Sequence, residues 1–317
     1  MKRKIPYIDL HSDTPTLILQ KDIKLDKNSY CIDIDNLQKG DALAQFFAMY
    51  IDSQTVESSF DYCVEMLDRF KEELDNNSDT IMLCRDYNDL KEADRDNKIG
   101  AFLTIEEGEA IEGDLDRLYF FKEQGISLIT LTWNYENSLG YSNFEWIDQY
   151  KGLKPKGIKA IEIMNDINMI IDVSHLSDGG FNDVLAHSTK PFIASHSNAR
   201  AITNHPRNLT DKMLKQLADS GGVTGINFFN KFLSDRDNEL ATISDMVRHI
   251  KHIRKVAGVD VIAIGSDFDG IPNPVEIANS SQMAKLADRL QTEGFSSDEV
   301  EKIFFRNASR VIREVLS

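Results

Sequence analysis

The sequence predicts an α/β chain closed into a parallel (β/α)8 TIM barrel, and three observations carry that reading. Eight short, continuous, β-branched apolar runs lie at residues 5–10, 42–51, 100–105, 128–132, 169–174, 191–195, 222–228 and 261–266. Runs of this kind suit strands buried on both faces, as a parallel sheet covered by helices requires. Amphipathic stretches of helical length separate them, so strand and helix alternate through the chain. The length, 317 residues, accommodates a barrel of about 250 residues with additions. An open doubly wound sheet is the rival architecture. Neither GxGxxG nor a P-loop is present, so nucleotide binding has no support.

The first run leads into Asp9-Leu10-His11-Ser12-Asp13. If it is a strand, His11 and Asp13 point the same way from neighbouring pleats. An imidazole and a carboxylate so placed can share one divalent ion. The plain alternative is a structural histidine and a helix cap before Thr14-Pro15. The second run is followed by the longest interval, which the pattern fills with two helices, at 58–74 and 86–93. The third run enters Thr104-Ile105-Glu106-Glu107-Gly108, a helix follows at 115–124, and the fourth run leads to Trp133. After a helix at 156–165 the fifth run ends Asp172-Val173-Ser174-His175, and the sixth ends Ala194-Ser195-His196. Helices at 211–220 and 244–257 flank the seventh run. The eighth ends Gly265-Ser266-Asp267-Phe268-Asp269-Gly270. A further helix closes the chain, with Phe295 able to staple to Val300 and Ser296 and Glu299 at capping-box spacing. Without a repeat, linker or low-complexity segment, residues 1–317 read as one domain.

Composition narrows the function. A net charge of −16 argues against nucleic acid and anionic membrane surfaces as partners, since both recruit Lys and Arg. The basic Met1-Lys2-Arg3-Lys4 is followed by no apolar h-region, and no run has transmembrane length. Cys31, Cys63 and Cys84 are odd in number and lack CxxC spacing, which suits free thiols in a reducing compartment. The expected location is the cytoplasm.

In a parallel barrel the C-terminal strand ends meet at one face. His11, Asp13, Glu106, His175, His196 and Asp267 all fall at such ends. A single strand-end His or Asp is ordinary; five coincident strand ends are not. Three histidines with Asp13 and Glu106 exceed what one tetrahedral ion needs. Two ions roughly 3.5–4 Å apart, sharing a carboxylate, is the natural count. His187, His249 and His252 lie in helical stretches and read as ordinary helix residues. Met164, Met169 and Phe228-Phe229 read as core or pocket wall.

Together these motifs resemble the membrane dipeptidase (renal dipeptidase) family, metallopeptidase family M19 of the amidohydrolase superfamily. The similarity runs from Asp9-Leu10-His11-Ser12-Asp13 through Ile105-Glu106-Glu107-Gly108, Leu131-Thr132-Trp133-Asn134 and Ile171-Asp172-Val173-Ser174-His175. It continues through Ser195-His196-Ser197-Asn198-Ala199, His205-Pro206-Arg207-Asn208 and Gly265-Ser266-Asp267-Phe268-Asp269-Gly270. The resemblance implies two zinc ions per chain, one on His11 and Asp13, one on His175 and His196, with Glu106 bridging. It implies a hydroxide between the ions, Asp267 as acid/base, and Arg207 as the grip on a dipeptide's terminal carboxylate. Where the mammalian enzyme has a histidine that steadies the tetrahedral intermediate, this chain has Trp133. Oxyanion stabilisation then falls to a zinc ion, Asn134 or Asn137. A small dipeptide is the implied partner, and a homodimer stays open. The alternatives are an amidohydrolase acting on a lactone or another amide such as an N-acyl amino acid, and a silent metal-binding relative.

Overall fold

The computed structural model describes residues 5–236 and 240–317; the basic segment at 1–4 lies outside them. Nine parallel strands form one sheet: β1 (Tyr7–Asp9), β2 (Ala42–Tyr50), β3 (Ile81–Leu83), β4 (Ile99–Glu106), β5 (Ile126–Thr130), β6 (Ile170–Asp172), β7 (Ile193–Ala194), β8 (Val223–Ile226) and β9 (Ile262–Ile264). Eight of them close on themselves, β1 pairing with both β2 and β9, and β4 with both β2 and β5. The β2–β4 seam runs from Ala44↔Gly100 to Tyr50↔Glu106, and closure excludes the open-sheet rival. Each barrel strand overlaps one of the eight apolar runs, with β4 overrunning its run at both ends and β5 starting earlier than its run, at Ile126.

β3 corrects the sequence reading, which left the second interval to helices alone. It pairs Ile81↔Ile99 to Leu83↔Ala101 on the outer start of β4, between helices Ser59–Asn76 and Tyr87–Arg95. Three residues are too short for any periodicity to show.

Alternation along the strands divides the core in two. Ile8, Phe46, Phe102, Leu128, Ile170, Ile193, Val223 and Ala263 pack together inside the barrel. Their neighbours Tyr7, Phe47, Leu103, Ile129, Ile171, Ala194 and Ile262 pack outward against the helices. The chain then returns to plug the N-terminal mouth. A capping box formed by Ser296 and Glu299 starts Ser297–Glu301, and a π turn at Lys302–Arg306 leads into helix Asn307–Val315. Val311, Ile312, Val315 and Leu316 join the interior cluster. Asn307 Nδ2 donates to the carbonyls of Val259 and Ile262, both at 2.8 Å, just where β9 begins. With that mouth sealed, the C-terminal mouth is the open one.

Candidate active site

At the open mouth the strand-end side chains converge. His11 Nε2 lies 3.3 Å from Glu106 Oε2, 3.7 Å from Asp13 Oδ2 and 3.9 Å from Asp267 Oδ1. Glu106 Oε1 lies 2.9 Å from His175 Nε2 and 3.4 Å from His196 Nε2. Two overlapping sets gather ligand-type atoms closely enough to hold an ion: His11 with Glu106 and His196, and His11 with Asp13 and Asp267.

Local geometry explains the convergence. β1 ends at Asp9, but extended pairing resumes in a bridge between Ser12 and Phe268. Residues 11, 13 and 267 flank that bridge and turn to the same side. Asp13 occupies the N-cap of helix Thr14–Lys21, yet its side chain makes no cap bond, so the carboxylate is left for the site. A Cβ at Gly270 would collide with Asp13 Oδ2, so any larger residue there would push that carboxylate from its place. His175 and Asp267 adopt φ of 66° and 62°, left-handed values that cost energy outside glycine and gather at working sites.

The surrounding shell orients each imidazole. His175 Nδ1 donates to Asn134 Oδ1 at 3.0 Å, and His196 Nδ1 meets Ser195 Oγ at 2.8 Å. With Nδ1 carrying the proton in each ring, both Nε2 atoms present lone pairs, only 3.0 Å apart. Two lone pairs that close repel unless a cation lies between them and the carboxylate. His11 Nε2 and Asp13 Oδ1 are buried with no hydrogen-bond partner among the described residues. Such orphans cost about 1–3 kcal/mol each unless something binds there. The donor set, imidazoles with carboxylates and second-sphere bonds behind them, fits one or more divalent ions.

Charge points the same way. Burial alone would raise Glu106, but the neighbouring His11 charge holds it well below the carboxylate range. Burial works to lower His11, yet the Glu106 and Asp13 carboxylates lift it well above its ordinary value. Burial and the neighbouring Glu106 push Asp13 up to about 8. Burial and the Arg207 charge bring His175 down to about 3. In the protein alone, protons on His11 and Asp13 balance the cluster, and a bound cation displaces protons from its ligands.

The cluster forms the floor of a cavity of about 460 Å³ walled by Tyr50, Trp133, Asn134, Phe144, Phe229 and Phe232. Trp133 packs edge-on to Tyr50 and Tyr135, with centroids 4.9 and 5.5 Å away. Arg207 also lines the cavity, 1% exposed, its guanidinium 5.2 Å above the Phe232 ring. Its Nε and Nη1 find no hydrogen-bond partner among the described residues. Burial lowers Arg207 to about 10, with Asp267 and Glu106 opposing, so it stays cationic at neutral pH.

Two aspartates of equal parity in sequence separate in space. Asp267 Oδ1 faces His11, while its Oδ2 accepts from Asn227 Nδ2 at 2.9 Å. Asp269 is spent on structure, accepting from Thr14 Oγ1 and the Cys31 N–H, both at 2.8 Å. Asn137 is a correction. Its amide donates to Glu107 and to the Leu131 carbonyl, and its oxygen accepts from the Leu139 and Gly140 N–H groups, leaving nothing for an oxyanion. Sequence reasoning missed Glu107, buried beneath the site and accepting from the Trp133 N–H at 3.2 Å. It also missed Tyr50, whose register position opposite Glu106 marks it as a strand-end residue. The helix histidines are as expected: His249 bonds to backbone at Ala199 and Leu233, and His252 pairs with Asp211.

A parallel barrel whose C-terminal mouth gathers imidazoles and carboxylates around shared space defines a metal-dependent hydrolase of the amidohydrolase type. Residues 1–317 match the family model described as membrane dipeptidase (peptidase family M19), and the chain belongs to that family of dipeptidases. An uncharacterized protein from the pqqA 5′ region of Klebsiella pneumoniae is 36% identical over 244 residues, 74% of this chain and 89% of that one. The dipeptidase tcpJ of Claviceps purpurea is 30% identical over 294 residues, 90% of this chain and 69% of that one. Among solved structures, the fold is shared with a metallopeptidase of Rhodobacter sphaeroides liganded with a phosphinate mimic of the dipeptide L-Ala-D-Ala. That pair superposes with TM-score 0.92 at 24% identity, covering 99% of this chain and 100% of the other. An amidohydrolase of Pseudomonas aeruginosa gives 0.81 at 25% identity, over 89% and 92%.

Proposed function

We propose that this dipeptidase cleaves dipeptides bearing a free C-terminal carboxylate, with two divalent ions, zinc foremost, at the strand ends. His11 and Asp13 would hold one ion, His175 and His196 the other, and Glu106 both. The observation that carries the reading is Arg207, a buried guanidinium with unpartnered donors in the same cavity as the histidine–carboxylate cluster. A fork with no acid of its own among the described residues asks for a carboxylate from the ligand, which it can clasp bidentately. Bound ions would supply a water acidified toward neutrality and a Lewis acid for the scissile carbonyl.

The chain's own residues do the rest. Asp267, held by Asn227, stands where it can take a proton from the attacking water and pass it to the leaving amine. Burial raises Asp267 above the ordinary aspartate value, which brings it closer to that duty. Trp133, Phe229 and Phe232 wall off solvent and strengthen the electrostatics inside. Asn134 keeps His175 in its ligating tautomer. The three cysteines are free, which suits a cytoplasmic setting. Among the described residues no helix is long and apolar enough to cross a membrane.

The test is purified protein with its metal content measured, then assayed on L,L and L,D dipeptides and on amidated and N-acyl controls. Turnover confined to free-carboxylate dipeptides is expected. Equal turnover of amidated dipeptides would shift the reading to a broader amidohydrolase.

A further inference from the structure

Two buried strand-end aspartates outside the ligand set clamp matching serines on neighbouring strands. Asp172, closing β6, accepts through Oδ1 from the N–H groups of Ser174 (2.9 Å) and Ser195 (2.8 Å). Its Oδ2 accepts from the hydroxyls of Ser195 (2.5 Å) and Thr130 (2.7 Å). Asp9, closing β1, repeats the pattern on Ser266, accepting from its N–H at 2.8 Å and its hydroxyl at 2.5 Å. All four residues are at most 1% exposed. The clamps differ in what the serine touches next. Ser195 Oγ lies 2.8 Å from His196 Nδ1, whereas Ser266 Oγ accepts from the Phe268 N–H at 3.1 Å.

A serine hydroxyl has one proton to give. An ionised carboxylate only accepts, so the Ser195 proton goes to Asp172 and a lone pair faces His196 Nδ1. That nitrogen must then carry the ring proton, leaving Nε2 bare toward Glu106. We propose that Asp172, acting through Ser195, is a positioning residue that locks His196 in the tautomer able to bind a metal. The proposal rests on His196 being a ligand. Asp172→Asn would invert the relay. The amide donates to Ser195 Oγ, the hydroxyl then donates to His196 Nδ1, and the ring proton moves to Nε2, the wrong atom. The identical clamp at Asp9 ends on backbone and serves as an internal control.

The experiment is nitrogen-15 NMR of histidine-labelled, metal-free full-length protein, with His196 assigned by its loss in His196→Gln. Zinc titration and circular dichroism of each variant accompany it. Wild type, Asp9→Asn and Ser195→Thr should show Nδ1–H at His196, with Asp9→Asn melting earlier. Asp172→Asn should show Nε2–H, and Ser195→Ala a mixture. Both should bind zinc about 10- to 100-fold more weakly, the usual cost of a lost second-sphere partner. A folded Asp172→Asn that keeps both the wild-type tautomer and zinc affinity overturns the proposal, as does an Asp9→Asn that shifts the tautomer equally. If Asp172→Asn fails to fold, Ser195→Ala against Ser195→Thr decides by the same readouts. Unaltered zinc binding in His196→Gln would remove the ligand assignment, while the tautomer shifts still judge the relay separately.

Discussion

The barrel's two mouths use the same eight strands to opposite ends. At the N-terminal mouth, Val311, Ile312, Val315 and Leu316 complete an apolar interior with Ile8, Phe102 and Val223. At the C-terminal mouth, His11 Nε2, Asp13 Oδ1 and two donors of Arg207 are buried without hydrogen-bond partners among the described residues. Each orphan costs about 1–3 kcal/mol, comparable with the 1.5–3 kcal/mol gained by burying one large apolar side chain. The sealed mouth supplies stability that the open mouth gives up, and the open mouth is incomplete until metal and substrate arrive. Stability and activity should therefore be separable by position.

The sharpest break is Glu106→Gln. It removes the carboxylate shared by both histidine groups, so metal content should fall for both ions together and activity should drop to background. Metal analysis finding a single ion per wild-type chain in excess zinc would end the two-ion reading. Asp267→Asn comes next. Shape and metal content should persist while kcat falls by roughly 10²–10⁴, the usual contribution of a positioned proton acceptor. A larger loss from Asp269→Asn, with its fold intact, would transfer the role to that residue.

The sealed mouth predicts the converse. Ile312 is 1% exposed. Ile312→Ala should cost about 2–5 kcal/mol of stability through lost burial and a cavity. Well below its melting midpoint, kcat/KM should stay at the wild-type value. A change in kcat/KM there would mean that the two mouths are coupled. Arg207→Met should move the two quantities in opposite directions. A lost charge-assisted bidentate pair, about 1.5–3 kcal/mol, lowers kcat/KM for free dipeptides roughly 10- to 150-fold. Amidated dipeptides should be unaffected. Removing a buried, unpaired guanidinium should also raise the melting midpoint. Equal losses on both substrate types would make Arg207 a loop support.

How far the sequence discloses this division depends on range. Strands and the convergence of ligand-type residues were legible because a parallel barrel brings successive strand ends together, so His11, Glu106, His175 and His196 needed only counting along the chain. Alternation could not separate Asp267 from Asp269, since the difference lies in Thr14 and Cys31, remote in sequence from Asp269. Asn137 misled because its amide is consumed by Glu107, a long-range pairing with no local signal. The twin clamps were equally hidden. Asp172 was visible at a strand end, but its bond to Ser195 is a contact between strands that the sequence alone does not report.

Trp133 is where the smallest effect is expected, and it sharpens the comparison at the rim of the open mouth. Its backbone N–H is fixed by Glu107, and its ring stands edge-on to Tyr50 and Tyr135, with its centroid 6.4 Å from that of His175. It is therefore a rigid wall of the cavity beside a ligand-type imidazole, with no hydrogen bond to the cluster among the described residues. Trp133→Phe keeps an aromatic face and the backbone anchor, and loses part of the edge-on contact. Aromatic pairs of this kind contribute about 0.5–1.5 kcal/mol beyond burial, so kcat/KM should change by up to about tenfold. The change should depend on the substrate, favouring bulkier side chains that fill the vacated volume, while kcat on the best substrate stays nearly constant. Kinetics on a series of dipeptides graded by side-chain size would show this as a tilt across the series. A uniform fall in kcat across the series would instead make the indole N–H a donor to the reacting carbonyl, the task that the mammalian histidine suggested for this position.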